Sequence, residues 1–367
     1  MTKKIKVGLI GLGEVAQIIH LPILESLSDR YEITALCDIS NQLLQVMGEK
    51  YGVTNLYTDA KQLTRQADLD VVFVLNSDEY HTECVISAIE NKKHVLVEKP
   101  MCLTKSDADD IINARDKYGV QVMVGYMRRF APAFTEAVEE VKKLKKINYA
   151  RVRDIIGQNS LFIEQSSNVY RFNDIPQEAM TDKTDRAKRM VYEAIGQDAP
   201  KELVSAYRLL CGLSSHDLSA MREIIGIPNR VVSASQWNGG RFISAVFEFD
   251  NFFATFETGV DKLIRFDAHI EVFGENKQLK VQYNTPYIRH LPTTLQVGET
   301  LNGNYQEKIN RPTFKDPYTI ELENFYEVVT KGIVPKTTPE DFKEDLNLFS
   351  QIIDALKQNN VNTFIHR

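Results

Sequence analysis

Three features of this chain combine residue types and spacing that could do chemistry: a glycine-rich turn, an acid about twenty residues beyond it, and a lysine at the end of a later apolar run. Gly11-Leu12-Gly13-Glu14-Val15-Ala16 follows the run Ile5–Ile10 and opens an amphipathic stretch. In such a turn Gly11 permits the tight bend, Gly13 lets backbone approach a pyrophosphate, and Ala16 lets the helix pack on its sheet. Free N–H groups at the helix start, here Glu14 and Val15, then face the anion. A plain strand-turn-helix would also carry this pattern, so the context matters. Asp38 ends the second apolar run, where a carboxylate accepts ribose hydroxyls and repels a 2′-phosphate, which favours NAD over NADP. Helix capping is the other role open to Asp38. Val97-Glu98-Lys99-Pro100 places an ammonium at a strand end, where it could hold a substrate oxygen and stabilise a developing alkoxide. A surface lysine is the alternative.

These residues need a scaffold. From residue 5 to about 145, short apolar runs alternate with amphipathic stretches, the pattern of parallel strands joined by crossover helices. Strands are expected at Ile5–Ile10, Ile33–Asp38, Val71–Leu75, His94–Glu98 and Gln121–Tyr126. Helices are expected at Glu14–Leu27, Asn41–Tyr51, His81–Asn91, Lys105–Tyr118 and Pro132–Lys145. Pro22 should kink or restart the first helix. After residue 146 the character changes: residues 160–210 read as a charged helical excursion, and 231–284 as strands. The hairpin Phe242–Phe249 to Phe252–Thr258, turning at Asp250-Asn251, puts Ile243, Ala245, Phe247 and Phe249 on one buried face. Helices close the chain at Pro317–Lys331 and Pro339–Gln358. The fold class is therefore α/β: a doubly wound parallel Rossmann sheet (1–126), then an α+β domain (127–367) with a largely antiparallel, open-faced sheet. Ligands would bind at the carboxyl ends of the parallel strands.

The bulk properties agree with two soluble domains. The chain has 367 residues, 43% hydrophobic and 26% charged, with a net charge of −6, which argues against nucleic acid as a partner. The opening Met1-Thr2-Lys3-Lys4 and short run beyond are too short for a signal core or membrane span, so the expected location is cytoplasmic. Cys37, Cys84, Cys102 and Cys211 lack metal-ligand spacing and are expected to be buried free thiols, with no metal site. His20 precedes Pro22 within the first helical segment, His94 lies at a strand start, and His269, His290 and His366 have no motif around them; all five read as structural.

Gly11–Ala16, Asn91–Pro100 and the run Val124-Gly125-Tyr126-Met127-Arg128-Arg129-Phe130 with Pro132 together resemble the glucose-fructose oxidoreductase, inositol dehydrogenase and rhizopine catabolism (Gfo/Idh/MocA) family over essentially the whole chain. The resemblance implies an NAD-dependent oxidoreductase of sugars or cyclitols in which Glu98-Lys99-Pro100 is the active-site motif. It also implies that Leu75, Asn76, Ser77 and His81 line the dinucleotide, that Arg128 or Arg129 holds its nicotinamide end, and that Tyr126 borders the substrate. The family's Asp-x-x-x-His pair falls on Gly212 and His216, so the base is present and its carboxylate is not. Asp217 cannot replace it, because neighbouring helical residues point about 100° apart; Tyr207, Ser215 or a residue of the excursion could orient His216 instead. His216 is then a catalytic base, a retained ligand contact or a helix-packing residue. Tyr170 and Arg171 lie where the family's second domain contributes substrate contacts, although a solvated loop also explains them. A redox-neutral lyase or isomerase and a non-catalytic dinucleotide sensor are the competing functions. A homodimer or homotetramer through the open sheet is expected.

Overall fold

The computed structural model describes residues 3–363 and, for side chains, residues 3–359; Met1, Thr2 and His366 lie outside the described residues. The chain packs as two compact units. One comprises residues 1–125, 167–194 and 321–344, and the other residues 126–166, 195–320 and 345–367. The reading from sequence divides the chain once, after 126, whereas packing returns two later segments to the first unit.

The first unit is built on six parallel strands: β1 (Ile5–Ile10), β2 (Tyr31–Cys37), β3 (Asn55–Tyr57), β4 (Val71–Val74), β5 (His94–Glu98) and β6 (Val122–Gly125). Their order is β3-β2-β1-β4-β5-β6. The direction of winding therefore reverses between β1 and β4, which is where doubly wound sheets open a ligand crevice. β4 is buried at all four positions, the near-continuous apolar run of a strand covered on both faces. The expected helices at 41–51 and 105–118 form with those boundaries. Ser40 and Thr104 cap them by accepting the N–H of Leu43 and Asp107. The first helix begins with a π turn, Ala16–His20, and continues as an α-helix from Leu21, with Pro22 in its first turn. The restart at Pro22 follows from its missing N–H. β3 is too short, at three residues, for two-residue alternation to reveal it.

The returning segments are tied by named contacts. Phe325 packs on Phe73 at a centroid distance of 5.8 Å, and the Tyr31 hydroxyl donates to the Leu322 carbonyl at 2.7 Å. Thr337 pairs with Val124 through its backbone and hydroxyl, covering the edge strand β6.

The second unit holds an eight-stranded sheet of β7 (Tyr149–Gly157), β8 (Arg230–Trp237), β9 (Phe242–Glu248), β10 (Phe253–Asp261), β11 (Phe266–Phe273), β12 (Lys277–Tyr283), β13 (Thr294–Leu301) and β14 (Asn304–Asn310). Its order is β14-β13-β12-β11-β7-β10-β9-β8. Every neighbouring pair is antiparallel except β7 with β10. The hairpin β9–β10 forms in the expected place, with Ile243, Ala245, Phe247 and Phe249 buried. Central β7 was not expected from the sequence. Its inward positions are Ala150, Val152, Asp154 and Ile156, and a carboxylate on that face interrupts the apolar alternation. Helices 132–141 and 215–225 pack on this sheet.

Candidate functional site

In the first unit the glycine turn sits at the reversal point. Gly11 has φ +92°, and a Cβ built on it would lie 2.5 Å from the backbone nitrogen of Asn76. Only glycine lets the β1 turn lie against the loop after β4. The Leu75 N–H donates to the Ile10 carbonyl at 2.8 Å and fixes that loop. Gly13 differs: it is exposed, and a Cβ there would meet no atom within 4 Å. The open surface over Gly13 fits a pyrophosphate resting on the turn. Glu14 and Val15 are half-buried beside it.

Asp38 follows β2 and is itself held: Oδ2 accepts the Leu12 N–H at 2.8 Å and Oδ1 the Ser40 N–H at 2.9 Å. Ser40, not Asp38, is the helix cap. Burial pushes the Asp38 carboxyl above its ordinary value; the two N–H donors oppose this and the charge of Asp174 adds to it. Each oxygen keeps a second lone pair for a ribose hydroxyl.

At the end of β5, Glu98 is buried, its Oε1 lying 2.8 Å from His20 Nε2 and its Oε2 accepting the Lys99 N–H at 3.2 Å. Burial alone would raise the carboxyl, but the bond and charge of His20 and the charge of Lys99 hold it below its ordinary value. Glu98 is thus an internal strut that sets the backbone from which Lys99 projects. Lys99 is half-buried, and the Lys99–Pro100 peptide is cis. His20 and Glu98 lie 78 positions apart, and no local pattern connects them.

The remaining positions of the first unit also differ in role. His81 is buried, with Nδ1 2.8 Å from the Pro100 carbonyl oxygen and Nε2 2.9 Å from that of Asn76. It stitches the loops after β4 and β5 together. Leu75 is buried, and Asn76 and Ser77 are half-buried on the loop facing Gly11. Tyr170 lies on the first helix: its N–H donates to Gln17 Oε1 at 2.9 Å, and Gln17 Nε2 donates to its carbonyl at 3.1 Å. Arg171 pairs with Glu14 at 2.6 Å. Residues 170 and 171 are thereby attached beside the glycine turn.

In the second unit Arg128 is buried, with Nη1 2.5 Å from Asp217 and 3.1 Å from Asp154, under the rings of Phe266 and Tyr283. Burial disfavours its charge, and the two carboxylates overcome this and raise it. Asp217 is pushed well above its ordinary value by burial and by Asp154, against the pull of Arg128. A guanidinium so engaged ties β7 to the helix that carries Asp217. Arg129 binds Glu223 at 2.5 Å. Tyr126 is fully buried, and its hydroxyl donates to Asp345, which also accepts from Arg222.

His216 is buried in the helix Ser215–Ile225, which a π turn, Leu210–Ser214, precedes. Gly212, in that turn, is exposed with open space at its Cβ. Ser215 donates to the Cys211 carbonyl at 2.8 Å, so its hydroxyl is taken up by the helix backbone. Asp217 turns to Arg128, as the 100° offset between neighbours requires. All four cysteines are buried thiols. No helix among the described residues is long and apolar enough to cross a membrane.

A parallel sheet wound in this order, with a glycine turn at its reversal and an acid after β2, defines a dinucleotide-binding Rossmann domain. Residues 5–126 match the family model described as "Oxidoreductase family, NAD-binding Rossmann fold". It is 35% identical to myo-inositol 2-dehydrogenase of Thermotoga maritima over 137 residues, 37% of this chain and 40% of that one. Identity with inositol 2-dehydrogenase/D-chiro-inositol 3-dehydrogenase of Lactiplantibacillus plantarum is 25% over 337 residues, 90% and 84% of the two chains. The match with the first of these spans under half its length. The two-unit fold is shared with scyllo-inositol dehydrogenase from Lactobacillus casei, solved with NAD(H) and scyllo-inositol, at a TM-score of 0.71, 19% identity and coverage of 97% and 98%.

Proposed function

We propose that the chain is an NAD-dependent dehydrogenase that oxidises a secondary hydroxyl of a sugar, sugar derivative or cyclitol. The observation that carries this is the first unit's strand-end constellation: an open glycine turn, an acid after β2, and a lysine whose backbone is braced by the buried His20–Glu98 pair. NAD, when bound, accepts the hydride from the substrate carbon. Gly11, Gly13, Glu14, Val15 and Ala16 would cradle its pyrophosphate, Asp38 its ribose, and Leu75, Asn76 and Ser77 the loop side. Lys99 holds the substrate oxygen and stabilises the alkoxide. His216 removes the hydroxyl proton. The relatives named as inositol dehydrogenases support this substrate class. A homo-oligomer, a cytoplasmic location and the division of labour between residues 1–126 and 127–367 belong to the same proposal. A non-catalytic dinucleotide sensor is the second reading, favoured by Gly212 where the family carries an aspartate.

NADH absorbance on incubation with NAD and a panel of inositols and sugars tests the activity. Lys99→Ala should lower turnover by about 100-fold or more while NAD still binds. Gly13→Val should weaken NAD binding by about tenfold or more with an unchanged melting temperature, because its side chain enters open space. Equal turnover in Lys99→Ala, or NAD binding indifferent to Gly13→Val, would remove those residues from the site.

A further inference from the structure

Residues 170–174 run along the first unit from the glycine turn to the end of β2. At one end the backbone of Tyr170 is clasped by Gln17, whose Nε2 also donates to the Leu12 carbonyl at 2.8 Å. At the other end Asp174 Oδ1 accepts the Ser40 hydroxyl at 2.5 Å, and Oδ2 accepts the Gln42 N–H at 2.9 Å. Ser40 is the cap of an 11-residue helix, and Gln42 lies in its first turn. In a doubly wound fold the acid after β2 meets the adenosine ribose. The donors just beyond it, a hydroxyl and the first N–H groups of the next helix, are those a ribose 2′-phosphate would require. Here an internal carboxylate already takes them, and Asp38, bonded to the Ser40 N–H at 2.9 Å, places a second acid alongside. The cation of this segment, Arg171, is paired with Glu14 at the glycine turn, not turned toward the ribose end.

We propose that Asp174 is a second cofactor-selectivity residue: its carboxylate occupies the donors that a 2′-phosphate would use and, with Asp38, restricts the site to NAD. The proposal rests on the reading of the first unit as a dinucleotide site. It differs from selection by Asp38 alone in that the discriminating charge comes from a segment about 130 residues away in sequence and acts by filling an anion position as well as by repulsion.

Dissociation constants for NAD and NADP, measured by titration calorimetry on the full chain, separate the outcomes. The unmodified protein should bind NAD and discriminate against NADP. Asp174→Ala should raise the affinity for NADP relative to NAD by about tenfold, and Asp174→Asn, which keeps the shape and removes the charge, should move the ratio in the same direction by less. An unchanged ratio in both variants, a parallel loss of both ligands, or unmodified protein that binds NADP as tightly as NAD overturns the selectivity role. Unmodified protein that binds neither nucleotide overturns the dinucleotide reading instead. If Asp174→Ala does not fold, the Asp174→Asn ratio decides alone.

Discussion

Each unit buries a carboxyl group close to a residue assigned to the chemistry, and the two behave in opposite ways. In the first unit, His20 and the Lys99 backbone converge on the single carboxylate of Glu98, which falls below its ordinary value. In the second, Asp154 and Asp217 share one guanidinium nitrogen of Arg128, and Asp217 rises well above its ordinary value. Burial disfavours charge at both places, so the sign is set by how many partners each carboxylate has. The consequence for stability is opposite too. The unfolded chain releases the Glu98 proton near pH 4.3 and the folded chain lower, so the stabilisation is present above that value and is lost as pH falls through the folded one. Folded Asp217 keeps a proton that the unfolded chain releases near pH 3.9, so its contribution declines as pH rises from about 4 towards its higher folded value.

The severest way to break this contrast is to remove the shared cation. Arg128→Met leaves two buried carboxyl groups without their guanidinium and should destabilise the fold by about 3–5 kcal/mol, read by urea denaturation at neutral pH. A loss under about 1 kcal/mol would mean that the arrangement contributes no more than a surface pair. Smaller effects should distinguish the acids by slope. In melting temperature against pH, Glu98→Gln should flatten the acid side of the profile, and Asp217→Asn should flatten the decline above about pH 4. The reverse assignment of slopes would show that the partner count does not set the sign.

The same contrast explains what could be read from the sequence. The first unit is dominated by local rules. A turn needs glycine at 11 because of a steric contact and a positive φ, and a buried parallel strand needs an unbroken apolar run, so β1, β4, β5 and the glycine turn were legible within a few residues. The contacts hardest to read, those of His81, Tyr126 and Arg128, belong to side chains that each have a partner 19 to 219 positions away. Position in a motif places such a residue near a site without saying which way its polar group turns. Asp154 did leave a signal, a carboxylate at an inward position of an otherwise apolar alternation. It could be read only once 149–157 was recognised as a strand. Asp174 left none, since its partner Ser40 looks like an ordinary helix cap whether or not a carboxylate reaches it.

The last and smallest perturbation moves the first unit's arrangement into the second. His20 has a carboxylate at its ring, whereas the residue four positions before His216 is Gly212. Open space surrounds the Cβ of residue 212 and its φ lies outside the left-handed region, so Gly212→Asp should fold, with stability changed by no more than about 0.5 kcal/mol. A carboxylate one turn before an imidazole favours the protonated ring. If His216 is the base, the acid limb of the kcat/KM profile should therefore move to higher pH in this variant, by about one unit. A profile that does not move would mean either that the π turn at 210–214 carries residue 212 off the line of His216 or that another group takes the proton. A second variant, His216→Gln, separates these: in the first case it abolishes turnover, and in the second it leaves the acid limb in place.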